Sequence, residues 1–379
     1  MPDVIICGDT IRHAELRHEV PLAVPDPFLY AETGGERHVV VSSLEIPRIS
    51  AVDGGLTLHP FEEFGYDEFV TSGLERGEVF LQVMTRACQV LGVQRALVPS
   101  DFPVELADRV RAAGLVLDPD RHEFESRRRV KSPAELAGIR RAQAAANAGM
   151  RVAAEMLRQA EPSGEHLLLD GEPLTCERVK EAIRDVTGRL GASAGDELIV
   201  AHGAQTAIGH EMGSGPIAPG EPVVIDLWPR DAESACFADM TRTFIVGEVS
   251  DELRSYHDLT RESLARAFDA VGPGVEGREL HRISCEPYER AGLPTQLTKA
   301  PGEVLREGFY HSLGHGVGLE VHEAPPVGRS PGVLMPGDVI TLEPGCYRLG
   351  LGGCRLEDLV LVTDDGAELL TDFPYDLEP

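Results

Sequence analysis

The sequence predicts an α+β fold in two domains, a smaller α/β domain followed by a larger layered one. First, 379 residues exceed the length at which a single hydrophobic core keeps growing. Second, a strong helix-start signal lies about a third of the way along the chain. Third, strands and helices after that signal do not alternate one for one, which favours an α+β layer fold over a parallel sheet. We therefore expect domains at residues 1–125 and 126–379.

The first domain is predicted from short strand-like runs mixed with helical patterns. Alternating and β-branched residues favour strands at 28–32, 39–43 and 95–98. Apolar residues at helical spacing favour helices at 79–91 and 104–113. Mixed elements of this length indicate a small α/β domain.

The domain boundary is predicted from a helix start. Ser132 suits the N-cap, Pro133 suits the first helical position, and Glu135 completes a capping box. Apolar residues then recur at helical spacing to about Ala160. We interpret the preceding run of arginines, 127–129, as a solvated linker paired with carboxylates.

The second domain is predicted to interleave three further helices with five strands. The expected helices are 176–190, 251–271 and 278–291. The expected strands are 198–201, 222–227, 238–246, 339–342 and 356–362.

Composition excludes several classes of protein. The sequence contains 42 % apolar and 26 % charged residues, and it lacks an apolar run of the roughly 20 residues that cross a bilayer. The start shows no secretory signal pattern, so we expect a cytoplasmic protein. A net charge of -28 argues against nucleic acid and anionic membrane as partners. Seven scattered cysteines predict neither a disulfide framework nor a thiolate zinc site.

Acids and histidines concentrate at or near predicted strand ends in the second half. Asp226 after an apolar strand is ordinarily a turn or cap residue. Asp239 has an ion pair with Arg242 as its ordinary explanation, and His315 between two glycines could be a loop histidine. Glu343 directly follows an apolar strand, where a buried acid needs a partner or a cation, and Glu357 precedes another in the same way.

Bringing four such carboxylates together without cations would raise their pKa values until some of them protonate. Two divalent cations balance the four negative charges, with a neutral histidine as nitrogen ligand. A ligand set rich in carboxylates suits Mn²⁺, Fe²⁺ or Co²⁺. Two such ions about 3.5 Å apart can hold a bridging hydroxide and polarise a scissile carbonyl.

The ordered set Asp226, Asp239, His315, Glu343, Glu357 resembles that of the pita-bread metallopeptidases, which include methionine aminopeptidase, aminopeptidase P and prolidase. The strings GHGVGLEVHEAP, EPGCY and GGCRLED are similar to the prolidase and aminopeptidase P branch. The resemblance covers roughly residues 128 to 365. The preceding segment resembles the creatinase-type N-terminal domain of that branch.

The resemblance implies a role for each ligand. Asp226 would chelate one metal, Asp239 and Glu357 would bridge both, and His315 and Glu343 would bind the other. Glu343 would also shuttle the proton of the attacking hydroxide.

The resemblance also implies substrate residues. His322 would contact the substrate carbonyl or the developing oxyanion. His210, rather than His202, matches the other substrate-facing histidine of the family. Arg355 could orient a ligand carboxylate or bind a substrate carboxyl, and His311 could support the ligands from behind.

Two departures from the family pattern affect the substrate more than the metals. The step from Asp226 to Asp239 is longer than usual and carries Trp228, the single tryptophan of the chain. The segment 211–215 differs from the family's usual Pro-Thr-x-Arg.

The expected function is hydrolysis of Xaa-Pro dipeptides by a prolidase with two divalent metal ions, Mn²⁺ first and Co²⁺, Fe²⁺ or Zn²⁺ also open. The alternatives are an aminopeptidase P that acts on longer peptides, a dipeptidase without strict proline specificity, and a non-catalytic peptide-binding module. Methionine aminopeptidase and a metal-free creatinase-like hydrolase fit less well. Relatives imply a homodimer, and a short peptide is the expected partner.

Overall fold

A computed structural model describes residues 2–52, 54–195 and 197–379 of the chain. The chain divides into two compact units, one up to Arg128 and one from Arg129 onward. The arginine run 127–129 lies where the two units divide, and its expected pairing with carboxylates is confirmed. It is helical rather than an open linker, because it closes a helix at Arg121–Arg129, and Arg128 is buried rather than solvated. Arg127 stabilises that helix by donating to Glu123, one turn earlier, at 2.9 Å.

The first unit is built on a mixed sheet of six strands in the order β4-β3-β2-β1-β5-β6. Its central strand β1 (Asp3–Gly8) is apolar on both sides, with Ile5 and Cys7 in one core and Val4 and Ile6 in another. Helices therefore cover both faces, and the predicted α/β character is confirmed. The other strands are β2 (Phe28–Thr33), β3 (Glu36–Val41), β4 (Leu56–Pro60), β5 (Arg95–Val98) and β6 (Val116–Pro119), and the helices are α1 (Ala14–Glu19), α2 (Ile46–Ile49), α3 (Tyr66–Thr71), α4 (Arg76–Val90), α5 (Val104–Ala112) and α6 (Arg121–Arg129).

The second unit begins with the longest helix, α7 (Pro133–Gln159), and its capping box forms as predicted. Glu135 N donates to Ser132 Oγ at 3.2 Å, and Ser132 N donates to Glu135 Oε2 at 2.8 Å. Three helices follow, namely α8 (Cys176–Arg189), α9 (Asp251–Asp269) and α10 (Gly277–Arg290). The longer strands are β11 (Ile199–His202), β12 (Pro222–Leu227), β14 (Met240–Ile245), β17 (Glu323–Val327), β18 (Val339–Leu342), β19 (Gly345–Arg348), β20 (Gly352–Arg355) and β21 (Asp358–Val362); the shorter ones are β7 (Glu161–Ser163), β8 (His166–Leu169), β9 (Glu172–Pro173), β10 (Ala192–Ser193), β13 (Arg230–Asp231), β15 (Glu307–Gly308), β16 (Gly314–Gly316) and β22 (Ala367–Leu369).

Two antiparallel sheets of the second unit carry the acids. One has the order β11-β12-β14 and shares a core with α7 and α8. The other has the order β17-β16-β18-β21-β22 and shares a core with α9 and α10. The sheets meet where Glu357 N donates to Thr241 O at 3.0 Å. The predicted α+β layer fold is thereby confirmed, and the acid-bearing strand ends of the two sheets come together.

No helix in the described part of the chain has both the length and the apolar character needed to cross a bilayer. All seven cysteines are buried and free of disulfides, as expected. Burial raises the pKa of the Cys354 thiol to about 12, so it behaves as an apolar filler.

Candidate metal centre

A cavity of about 720 Å³ lies in the second unit. Every residue that the sequence predicts for metal or substrate binding lines it. These are Asp226, Asp239, His210, His315, His322, Glu343, Arg355 and Glu357, together with His311.

The first two acids come from one hairpin. Asp226 lies in β12 and faces Thr241 of β14 across the sheet, and Asp239 directly precedes β14. Because side chains two apart on a strand share a face, Asp239 and Thr241 point the same way. The hairpin thus aims both acids at the cavity.

The other three candidate ligands come from the five-stranded sheet. His315 lies in β16, and its Nε2 is 3.5 Å from Glu343 Oε1 and 3.9 Å from Asp239 Oδ2. Glu343 directly follows β18, and Glu357 directly precedes β21. Asp239, His315 and Glu357 offer ligand atoms that all lie within 4.8 Å of one another.

The glycines beside His315 are required by neighbouring strands. A Cβ at Gly314 would lie 2.1 Å from Thr341 O, and one at Gly316 would lie 2.3 Å from Ala324 O. Only glycine lets β16 pass this close to its neighbours. The GHG motif therefore serves strand packing, and the packing fixes where His315 points.

Hydrogen bonds from neighbouring side chains orient the candidate ligands. Thr241 Oγ1 donates to Glu357 Oε2 at 2.7 Å. Arg355 Nη2 donates to Asp226 Oδ2 at 2.5 Å, and its Nε donates to Thr241 Oγ1 at 3.3 Å. Of the two roles expected for Arg355, the geometry shows the contact with a ligand carboxylate.

Without cations, the negative charges of the buried carboxylates are not balanced. Burial, and then the neighbouring acids, hold the pKa values of Asp239 and Glu357 well above their usual range. Burial raises the pKa of Glu343 to about 8, with Asp226 adding to it against Arg355. Among the described residues, the buried Oδ1 of Asp226 has no hydrogen-bond partner. A site of four clustered carboxylates with an unpaired oxygen fits two divalent cations.

His315 suits a metal ligand because it is neutral. Burial, and then His322, lower its pKa to about 4. Its Nδ1 lies 3.1 Å from Gly316 O, so the free Nε2 faces the acids.

The two histidines expected to face the substrate are both exposed and line the cavity. The ring of His322 meets that of His315 edge to face, with centroids 4.2 Å apart. His202 instead lies with its Nδ1 2.7 Å from Glu221 Oε2. The structure thus places His210, and not His202, in the cavity.

His311 lies next to Glu343, one of the candidate ligands. Its Nε2 is 2.9 Å from the Tyr347 hydroxyl, and its Nδ1 is 4.0 Å from Glu343 Oε2. Burial, and then Arg355, lower its pKa to about 3. A neutral imidazole therefore packs against Glu343.

One ordinary explanation offered by the sequence is wrong. Arg242 does not pair with Asp239; it donates to Asp358 Oδ1 at 2.9 Å and to the carbonyl of Glu357 at 2.7 Å. Alternation along β14 accounts for this, because side chains three apart point to opposite faces.

The threonines that orient the candidate ligands were not predicted from the sequence. Thr241 lies two residues after Asp239, and Thr341 lies two residues before Glu343, where its Oγ1 accepts from His315 N at 3.1 Å. The period of two residues along a strand was the available signal. It places each threonine on the same strand face as a ligand.

Comparison with known proteins decides the family. Residues 137–364, more than half of the chain, match metallopeptidase family M24. The chain belongs to metallopeptidase family M24. This confirms the predicted class of enzyme, a peptidase that uses metal ions.

Curated relatives match part of this M24 chain. The Xaa-Pro dipeptidase of Pyrococcus furiosus is 39% identical over 177 residues, which are 46% of this chain and 47% of that protein. The chain thus spans about half the length of the curated relatives it matches.

Solved structures match the whole chain in fold. The prolidase from Pyrococcus horikoshii aligns with a TM-score of 0.76 at 24% identity, covering 100% of this chain and 95% of that one. The X-Pro aminopeptidase from Thermotoga maritima aligns with a TM-score of 0.78 at 22% identity, covering 99% and 97%. The pita-bread fold is confirmed, and at this identity the likeness speaks for the fold alone.

Proposed function

We propose that this M24 protein hydrolyses the Xaa-Pro bond of short peptides with two divalent cations, first of all as an Xaa-Pro dipeptidase. The observation that carries the proposal is the convergence of all five ligand-type side chains on one cavity of about 720 Å³. A volume of this order accommodates a small ligand. The relative from Pyrococcus furiosus that bears the name Xaa-Pro dipeptidase supports the choice of substrate.

In this proposal each ligand keeps the role that the family resemblance implies. Asp226 would hold one cation, His315 and Glu343 would hold the other, and Asp239 and Glu357 would contribute to both. Cations bound there would neutralise the acids, polarise the scissile carbonyl and lower the pKa of water.

The protein side chains then move the proton and steady the substrate. Glu343 accepts a proton from the attacking water and passes it to the proline nitrogen as the C–N bond breaks. His322 and His210 donate N–H groups to the carbonyl oxygen as negative charge develops on it. Burial, and then His210, lower the pKa of His322, so its ring is neutral and offers one N–H donor.

Product analysis tests the proposal. The Mn²⁺-loaded protein is incubated with Ala-Pro, Ala-Pro-Ala and Ala-Ala, and the products are identified by mass spectrometry. We expect Ala-Pro to be cleaved and Ala-Ala to stay intact, because a shaped pocket recognises proline's fixed φ and tertiary amide. Glu343→Gln should keep the fold and lose turnover by about a hundredfold or more, as expected for a group that transfers protons.

Other product patterns contradict parts of the proposal. Cleavage of Ala-Ala at a comparable rate would remove the proline specificity. Full activity of Glu343→Gln would remove the proton shuttle. A metal-loaded protein that leaves all three peptides intact would be a binding module rather than a peptidase.

An Xaa-Pro aminopeptidase is the second candidate, and Arg355 favours it. A dipeptide places its carboxylate next to the scissile bond, where a free cation would recognise it. Among the described residues lining the cavity, Arg355 is the one lysine or arginine, and it bonds to Asp226 and Thr241. Cleavage of Ala-Pro-Ala in the same experiment would establish this candidate.

Mn²⁺ as the metal, a homodimer as the assembly and the cytoplasm as the location also remain our proposals. The carboxylate-rich ligand set supports Mn²⁺ over a metal that prefers thiolates. Metal analysis of protein purified from its own cells tests the first, and light scattering of the purified protein tests the second.

A further inference from the structure

Part of the cavity lining is apolar, in contrast to the acids described above. Its members are Ile199, Met212, Trp228 and Val321, and we call them the apolar wall. Trp228 is half-buried and is the single tryptophan of the chain. An apolar surface that lines a polar site in this way fits an apolar group of the ligand.

The apolar wall begins directly beside a proposed metal ligand. Trp228 lies two residues after Asp226, just beyond the end of β12, and both residues line the cavity. Ile199 is the direct partner of Asp226 across the β11–β12 ladder, so these two side chains share a face of the sheet. Met212 joins them because its carbonyl accepts from Val200 N at 3.1 Å, next to Ile199.

The hairpin that carries Trp228 is held in place on both sides. Ala238 N donates to Pro229 O at 3.0 Å, and Phe237 N donates to Gly318 O at 2.8 Å. The guanidinium of Arg230 lies over the ring of Phe237, 5.5 Å from its centroid. The backbone beside Trp228 is therefore held in place, which lowers the entropic cost of presenting its side chain to a ligand.

Charge decides which residue of a peptide meets the apolar wall. A free peptide N-terminus is a cation, and the exposed carboxylate of Glu197 lines the cavity two residues before Ile199 of the apolar wall. Because Arg355 and the proposed cation already balance the charge of Asp226, the residue that carries the ammonium group lies beside Glu197. Its side chain then lies within reach of Trp228.

The geometry points to Trp228 as a residue that selects large apolar side chains on the amino side of the scissile bond. The inference rests on the proposed function. It names Leu-Pro and Phe-Pro peptides as better substrates than Gly-Pro and Ala-Pro. Burial of each added methylene against the indole supplies the preference.

A substrate series tests the inference. We expect kcat/KM to rise from Gly-Pro through Ala-Pro to Leu-Pro and Phe-Pro in the wild-type protein. Trp228→Ala should lower the ratio of kcat/KM for Leu-Pro over Gly-Pro by about tenfold or more, since the methylenes of leucine lose their apolar partner. Trp228→Phe is the matched control, because it keeps an aromatic surface and should keep most of the ratio.

Two outcomes of the series would overturn the inference. An unchanged ratio in Trp228→Ala would show that the indole does not contact the variable side chain. An equal loss for all four peptides would assign the indole to the proline ring or to the backbone.

Fluorescence separates this inference from the proposed function. Because Trp228 is the sole tryptophan, its emission in the Glu343→Gln protein reports on this cavity alone. We expect Leu-Pro to change that emission at a concentration about tenfold or more below that of Gly-Pro. If the wild-type protein hydrolyses none of the peptides, the proposed function fails, yet this titration still decides the inference. Equal midpoints for the two peptides would overturn it.

Discussion

At the scale of the residue, the acids proposed as ligands differ from ordinary acids only because other charged groups surround them. Asp226 ends an apolar strand as many turn residues do, and Asp239 precedes one. The structure surrounds them with Glu343 and Glu357, whose charges raise the pKa of Asp239 further once burial has raised it. The chemistry of the site is thus a property of the cluster.

His281 gives a prediction at this scale outside the cluster. It is fully buried on α10 and packs against Phe309, with ring centroids 5.6 Å apart. Burial, and then Arg329, lower its pKa to about 4. Between about pH 6.5 and about pH 4 the unfolded chain therefore binds a proton that the folded chain refuses, so stability falls as pH falls.

The expected loss is about 3 kcal/mol relative to a variant without this proton site, from a shift of this size at 1.36 kcal/mol per pKa unit. His281→Phe is that variant. Urea unfolding of metal-free protein is followed by the emission of Trp228, which reports on the second unit alone. If the free energy of unfolding changed equally in wild type and variant between pH 7 and pH 4, the role given to His281 would be contradicted.

At the scale of the element, Arg242 ties together the strands that carry the acids. It lies on β14, is 1% exposed, and donates to Asp358 on β21 and to the carbonyls of Phe373 and Pro374, both at 2.9 Å. Removing one partner of a buried ion pair leaves an uncompensated charge. Arg242 thus supplies the buried ion pair between β14 and β21.

We expect Arg242→Met to lower the free energy of unfolding of the second unit by about 3 kcal/mol or more. The measurement is urea unfolding of metal-free protein by Trp228 emission. Arg140→Met is the control, because the Arg140–Glu368 pair is 43%/44% exposed and should contribute less than about 1 kcal/mol. A loss in Arg242→Met no larger than in the control would contradict the role given to Arg242.

Elements with a clear period were predictable from the sequence. β12 and β18 have the predicted bounds, and α7 begins where its capping box placed it. The predicted strand 356–362 begins later, at Asp358, because Glu357 turns into the cavity. Short strands such as β16 were not predicted, since three residues carry too little pattern and pair only through tertiary context.

At the scale of the whole molecule, the sequence predicted the family but not the contacts around the candidate site. The resemblance to the family supplied the five candidate ligands, which line one cavity, and their binding of metal stays a prediction. Whether Arg355 contacts a candidate ligand or the substrate could not be predicted from the sequence. The deciding contact is with Asp226, and these two residues are far apart in the chain. The position of Trp228 in the cavity could not be predicted either, because it follows from the pairing of β12 with β11.

The central claim is that Asp226, Asp239, His315, Glu343 and Glu357 together hold two divalent cations. Equilibrium dialysis against Mn²⁺, followed by metal analysis of the protein, tests it most directly. We expect two Mn²⁺ per chain in the wild type and one or none in Glu357→Gln. Glu197→Gln, which changes another carboxylate lining the cavity, should keep two. A wild-type protein that binds no Mn²⁺, or a Glu357→Gln variant that retains both ions, would contradict it.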